Sequence, residues 1–210
     1  MTIYYKATRP DGTDFYSGTI LYEVGKTVRP KKHSSPSICG PGVLHAADVP
    51  AMTLVGGSWP CRLFEVAGKP FVGFDAEHPH KAGFKQLRVV REVDAHLALG
   101  PNGVEVARLI ESCRSITPEQ AKNLRAAWDA AGAAARAAVR DAARAAVRAA
   151  ARAAAGAAAG AAAWYAAGDA VRAAVRAAAR ALVVRDLITP EQFDTLTGPW
   201  VSVMGRTWEA

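Results

Sequence analysis

From Trp128 to Arg180 one position recurs every four residues without losing phase, and the positions between are dominated by alanine. The recurring residues are Trp128, Gly132, Arg136, Arg140, Arg144, Arg148, Arg152, Gly156, Gly160, Trp164, Gly168, Arg172, Arg176 and Arg180. Alanine and arginine both favour helix, so the spacing predicts a helical tract. A helical turn takes about 3.6 residues, so each four-residue step advances the row by about 40°. The Arg row therefore winds around the helix in the right-handed sense. Helices packed along the Ala faces beside it would supercoil the same way.

The row is interrupted. Gly156, Gly160, Trp164 and Gly168 fill the sector that Arg leaves, and small residues there would let a second helix approach closely. These four residues are the expected interface of a homo-oligomer, because an isolated Ala helix buries little area for its length. One long helix is the favoured arrangement, since Gly and Asp keep the same phase as the rest. The alternative is a helical hairpin, with Gly168-Asp169 as stop and start. A plainer alternative makes the Arg the solvated face of a spacer.

Two copies of one phrase bracket the tract, SITPEQ (Ser115–Gln120) and LITPEQ (Leu187–Gln192). Each places Thr at an N-cap, Pro at the first helical position and Gln three residues past the cap, which is a capping box. A helix is expected to begin at Pro118. A second, short one should begin at Pro190 and stop at Gly198-Pro199.

Ahead of the tract the chain changes character. TIYYKAT predicts a strand that ends in the turn RPDG, and DFYSGTILYEVGKTV a second strand region. ADVPAMTLVGG suggests a short helix capped by Asp48 with Pro50 in its first turn. CRLFEVAGKPFVGFD alternates as a hairpin about Ala67-Gly68, FKQLRVVREV is a last strand, and VEVARLIESCRSI has apolar residues at helical spacing. The fold class expected is α+β: a strand-rich head (1–114), an Ala-rich helical segment (115–187), and a short capped helix with its tail (188–210).

Charge narrows the partners. The chain carries 26 Lys+Arg against 19 Asp+Glu, a net of +7. Eight Arg face two Asp between Arg136 and Arg180, a local net of +6. An anionic partner follows. Nucleic acid is disfavoured, because the Arg row winds rather than forming a straight stripe and no aromatics interleave it for stacking. Three cysteines, Cys39, Cys61 and Cys113, form no disulfide framework and suggest a reducing compartment. There is no secretory signal pattern at the start and no run long and apolar enough to span a bilayer, so the expected place is a cytoplasm.

No catalytic or metal motif is present, and no cofactor is implied. EHPHK puts His78 and His80 two apart without partners to complete a metal site. Cys39 and His45 read as a buried thiol near a hydrogen-bonded His. A ligand pocket is expected around Tyr5, His45 and one of Arg88 or Arg91. The loop VRPKKH supplies a second basic cluster, Arg29, Lys31 and Lys32, suited to phosphate.

Tyr5-Lys6-Ala7, YEVGKTV (Tyr22–Val28), GVLHAADVP (Gly42–Pro50), FEVAG (Phe64–Gly68) and KQLRVVREV (Lys85–Val93) together resemble a small domain of unknown function in bacteriophage proteins. In actinobacteriophage relatives a similar head precedes an Ala-rich tract and an ending like ALVVRDLITPEQFDTLTGPW (Ala181–Trp200). The resemblance implies a phage protein of a high-GC host, acting in the host cytoplasm, and carries over no catalytic residues. The function expected is a non-enzymatic, oligomeric interaction protein with an anti-defence role, blocking a host defence protein or sequestering an anionic nucleotide. Two alternatives stand beside it. One is a virion or accessory structural protein. The other is an enzyme whose order of parts is similar to ADP-ribosyltransferase-like folds, with His45, a late Glu92, and Lys6 and Arg9 early.

Overall fold

The structure is a computed structural model that describes residues 2–30, 42–72, 79–148, 152–166 and 168–209. The chain separates into two compact units, Met1–Ala98 and Leu99–Ala210. The first is strand-rich and the second helical, which is the α+β architecture expected.

The N-terminal unit is a curled sheet of seven strands among the described residues: β1 (Ile3–Thr8), β2 (Thr27–Val28), β3 (Leu44–Ala47), β4 (Arg62–Ala67), β5 (Pro70–Val72), β6 (Lys81–Phe84) and β7 (Leu87–Val93). Their order is β2-β7-β4-β1-β3-β6-β5, and every pairing is antiparallel. β1 is the middle strand of the seven, and its β-branched and aromatic residues suit that place. It pairs with β4 from Ile3↔Ala67 to Thr8↔Arg62 and touches β3 at Tyr5↔Ala47.

One face of the sheet buries Tyr4, Phe64, Val66, Phe84, Leu87 and Val89, joined by Tyr22 and Val28. Tyr4 and Phe84 meet edge to face, with ring centroids 4.9 Å apart. Burying each large side chain of this set contributes about 1.5–3 kcal/mol.

Three local expectations are corrected. The segment 14–26 is a turn-rich loop with one isolated bridge, Thr13↔Leu21, rather than a strand. The Asp14 carboxylate takes the backbone N–H groups of Ser17, Thr19 and Ile20, which a ladder would otherwise use. β4 and β5 do not form a hairpin: β4 lies between β1 and β7, while β5 pairs with β6. Pro50–Met52 is a single 3₁₀ turn with Val49 at its cap, and Asp48 binds His80 instead.

The helical unit contains α1 (Gly103–Cys113), α2 (Pro118–Arg148), α3 (Arg152–Trp164), α4 (Asp169–Val183) and α5 (Pro190–Met204). Of the two arrangements open for the tract, the folded-back one is found. Gly132 breaks α2 with φ 55° and ψ −130°, and Gly168 turns the chain into α4 with φ 83°. Both lie in the left-handed region that glycine enters without a Cβ penalty.

α4 packs against α1, α2, α3 and α5. Its buried set includes Val171, Ala174, Val175, Ala178 and Leu182, at helical spacing. Ala158, Ala159, Ala162 and Ala163 of α3 are also buried. The alanine faces are therefore covered within the chain, with Leu109, Ile110, Leu196 and Trp200 supplying large side chains around them.

Both capping boxes form. Thr117 and Thr189 accept from the backbone of Gln120 and Gln192, whose side chains accept from the threonine N–H in return. α5 does not stop at Gly198-Pro199 but runs through Pro199 to Met204. An interior proline costs about 3 kcal/mol, which burial of Leu196 and Trp200 on either side offsets. The helix ends where Gly205 turns to φ 73°.

Candidate functional site

The N-terminal unit holds a cavity of about 810 Å³ beside β1 and β3. β1 brings Tyr5 and Lys6 to it, β3 brings His45, β6 brings Lys81, and β2 with its flanks brings Lys26 and Arg29. Phe15, Tyr16 and Tyr22 line it from the loop after β1.

That loop is organised by Asp14. Its carboxylate accepts from Ser17 N at 2.6 Å, Ser17 Oγ at 2.7 Å, Ile20 N at 3.0 Å and Thr19 N at 3.2 Å. Burial alone would raise the Asp14 pKa. The hydrogen bonds from Ser17 and Ile20, with the charge of Lys6, hold it below the usual carboxylate range instead. Asp14 is thus ionised, and its oxygens are occupied by the loop it shapes.

Lys6 is the unusual group. It stands on the same strand face as Tyr4, between apolar neighbours, and its ammonium lies over the buried Tyr22 ring, 5.5 Å from the centroid. Burial lowers its pKa from 10.5 to about 8; Asp14 opposes the shift and Lys81 adds to it. The same desolvation pushes the Tyr22 phenol up, so that it stays a neutral hydroxyl.

The structure brings together Tyr5, His45 and Arg29 of the sequence-derived candidates. Arg29 also donates through Nε to Gln86 Oε1 at 2.9 Å. Arg88 and Arg91 are exposed on β7 and do not line this cavity. Arg91 forms a two-point pair with Glu65, at 2.8 and 2.6 Å. Lys31, Lys32, Cys39 and His78 lie outside the described residues. His80 binds Asp48 through Nδ1 at 2.9 Å, and the described residues hold no His, Cys, Asp and Glu cluster suited to a metal ion.

Glu92, the late carboxylate of the enzyme alternative, is held by Arg62 at 2.8 and 2.6 Å and does not line the cavity. Arg9 donates to the Phe15 carbonyl at 3.0 Å. Cys61 and Cys113 are free thiols, buried in apolar surroundings that push both up to about 12, far from the thiolate form a nucleophile needs.

Lys26 and Lys81 were not among the sequence candidates, and Lys6 was named only as an early residue of the enzyme alternative. One signal for Lys6 was present in YYKAT, where a lysine takes the place alternation gives to a core residue, in register with Tyr4 and Thr8. Lys81 arrives by strand pairing, through Ala47↔Lys81, which no local pattern reveals.

In the helical unit, Gly156, Gly160, Trp164 and Gly168 all lie on exposed surface. Trp164 is 84% exposed, and the space above each of the three glycines is open. Among the described Arg of the row, Arg136, Arg140, Arg144, Arg172 and Arg176 are solvated and Arg180 is half-buried. No described helix is long and apolar enough to cross a membrane. No family model matches the chain, and neither does any curated protein or solved structure.

Proposed function

We propose that the N-terminal unit is a non-enzymatic binding module for a small anion that carries a flat ring, a nucleotide being the class that suits it. The observation behind this reading is the composition of the cavity wall. Lys6, Lys26, Arg29 and Lys81 surround a space whose acidic group, Asp14, is committed to its own loop. Tyr5 and Phe15 add ring surface for stacking. Among the described residues, Lys6, Lys26 and Arg29 outnumber the one carboxylate of the wall, and that excess of positive charge favours phosphate. In the phage setting that the sequence pattern resembles, such a module would sequester a nucleotide signal from a host defence system.

Thermal shift with a panel of mononucleotides and cyclic dinucleotides tests the reading. A rise in melting temperature that is lost in Arg29→Ala and His45→Ala is the expected result. A chain indifferent to the whole panel overturns it.

A second reading concerns assembly. The exposed Trp164, on the helix face that also carries Gly156 and Gly160, favours contact with a second copy of the chain through α3. Light scattering that returns a monomer at micromolar concentration overturns it.

A further inference from the structure

We infer that Lys6 is a nucleophilic amine that condenses with an aldehyde-bearing anion in the cavity of the N-terminal unit, holding it as an imine. The inference rests on the anion-binding reading for the ligand's charge, and adds a covalent bond and a reacting group.

Geometry carries it. Lys6 is fixed on the middle strand of the sheet, between Tyr5 and Ala7, and all three line the cavity. A lysine on an open surface loop moves among many rotamers, whereas this one has its ammonium settled over the Tyr22 ring. Arg29 and Lys26 line the same space and can hold the anionic end of a ligand while its carbonyl meets Nζ.

The surroundings of the amine also set its protonation. Asp14 from the loop and Lys81 from β6 act on it with opposite sign, and His45 from β3 and the Tyr22 hydroxyl lie in the same cavity wall. From β4, Glu65 is held by Arg91 and so gives the amine no counter-charge, and the Arg62 charge is met by Glu92. Burial leaves Lys6 with a pKa of about 8, so about a tenth of it is neutral at pH 7 and half at pH 8. An ordinary lysine has on the order of one neutral amine in a thousand at that pH.

The chemistry balances without a redox partner. The Nζ lone pair adds to the carbonyl carbon, and the carbonyl oxygen takes a proton to give a carbinolamine. Loss of that oxygen as water leaves the C=N bond, and hydrolysis returns both reactants. The protein thereby gains a reversible covalent hold on its ligand.

Reductive trapping tests this on the full chain. The probe is pyridoxal 5′-phosphate with cyanoborohydride, which supplies the hydride that fixes the imine, followed by peptide mapping. Lys6 should be labelled on the order of tenfold or more faster than Lys26, Lys69, Lys81, Lys85 or Lys122, with a pH midpoint near 8. Labelling spread evenly over the lysines, or a Lys6 midpoint near that of ordinary lysine, overturns the inference.

Pyridoxal without its phosphate, and protection by AMP, separate the two readings. Fast Lys6 labelling by both aldehydes without AMP protection supports the imine and removes the anion site. AMP-dependent thermal shift with slow Lys6 labelling does the reverse. Lys6→Arg should abolish labelling at that peptide while the other lysines keep their slow labelling. If that variant fails to fold, the labelling order and AMP protection in the unaltered chain decide the matter.

Discussion

The Lys6 ammonium lies 5.5 Å from the centroid of the Tyr22 ring, a cation held against one of the most buried aromatics of the N-terminal unit. The ring and Asp14 soften the penalty of removing this charge from water without cancelling it, since the pKa still falls to about 8. Below pH 8 both the folded and unfolded chains carry the proton, so the folded state bears the full desolvation cost. Between pH 8 and the ordinary lysine value of 10.5 the unfolded chain keeps a proton that the folded chain has lost. Stability therefore rises with pH through that window. Lys6→Met should stabilise the protein by roughly 1–3 kcal/mol at pH 7, with the gain vanishing above pH 10.5. Urea denaturation at pH 7 and pH 10.5 reads both; an equal effect at the two values refutes the assignment.

Asn102 joins distant parts of the helical unit. It is 6% exposed, and its Nδ2 donates to the Leu182 carbonyl at 3.0 Å and to Asp186 at 3.2 Å, while its Oδ1 accepts from Arg185 at 2.9 Å. Leu182 is among the last residues of α4, where carbonyls lack helical partners. Asn102→Ala should leave that carbonyl and the Arg185 group short of partners, at a cost of about 2–4 kcal/mol. Asn102→Asp keeps the acceptor but loses the donor and should also destabilise. A loss under about 0.5 kcal/mol in chemical denaturation would mean that water replaces the amide.

The paired ITPEQ phrases were legible because a cap is a local device: Thr, Pro and Gln meet within four residues, so sequence order is spatial order. The same holds for β1, β7 and α1, whose periodicities stand in single short segments. Legibility failed where distant residues decide. β4 and β5 read as a hairpin, yet β4 is taken by β1 and β7. The loop 14–26 reads as a strand until the Asp14 carboxylate is seen to take its amides. The cavity was half legible for the same reason. Tyr5 and His45 stand out in sequence, whereas Lys81 joins them only through the pairing of β3 with β6.

Equal wording at the two caps does not make equal contributions. Both Thr117 and Thr189 form complete capping boxes. Removing a threonine cap costs about 0.5–2 kcal/mol where the helix it starts must remain docked. α5 carries Phe193, Leu196 and Trp200 into the helical core, and Leu124 is the buried large residue of the first turns of α2. Thr189→Ala should therefore cost more than Thr117→Ala, whose helix end can fray. Melting temperatures of the two variants, measured side by side, check the order; a larger loss at Thr117 reverses it.

Gly156 and Gly160 separate stability from assembly. Both lie inside α3, where an added Cβ meets nothing within 4 Å among the described residues. Alanine at each should raise stability by about 0.5–1 kcal/mol, because glycine gives up more backbone freedom on folding. Leucine at the two positions should likewise leave the fold intact, while its bulk holds off any helix that approaches the face shared with Trp164. The prediction is a pair of results on one protein: a melting temperature at or above that of the parent, and a scattering mass reduced to a single chain. A double leucine variant that keeps the parent's mass would make α3 a solvated face and its four-residue lattice a spacer.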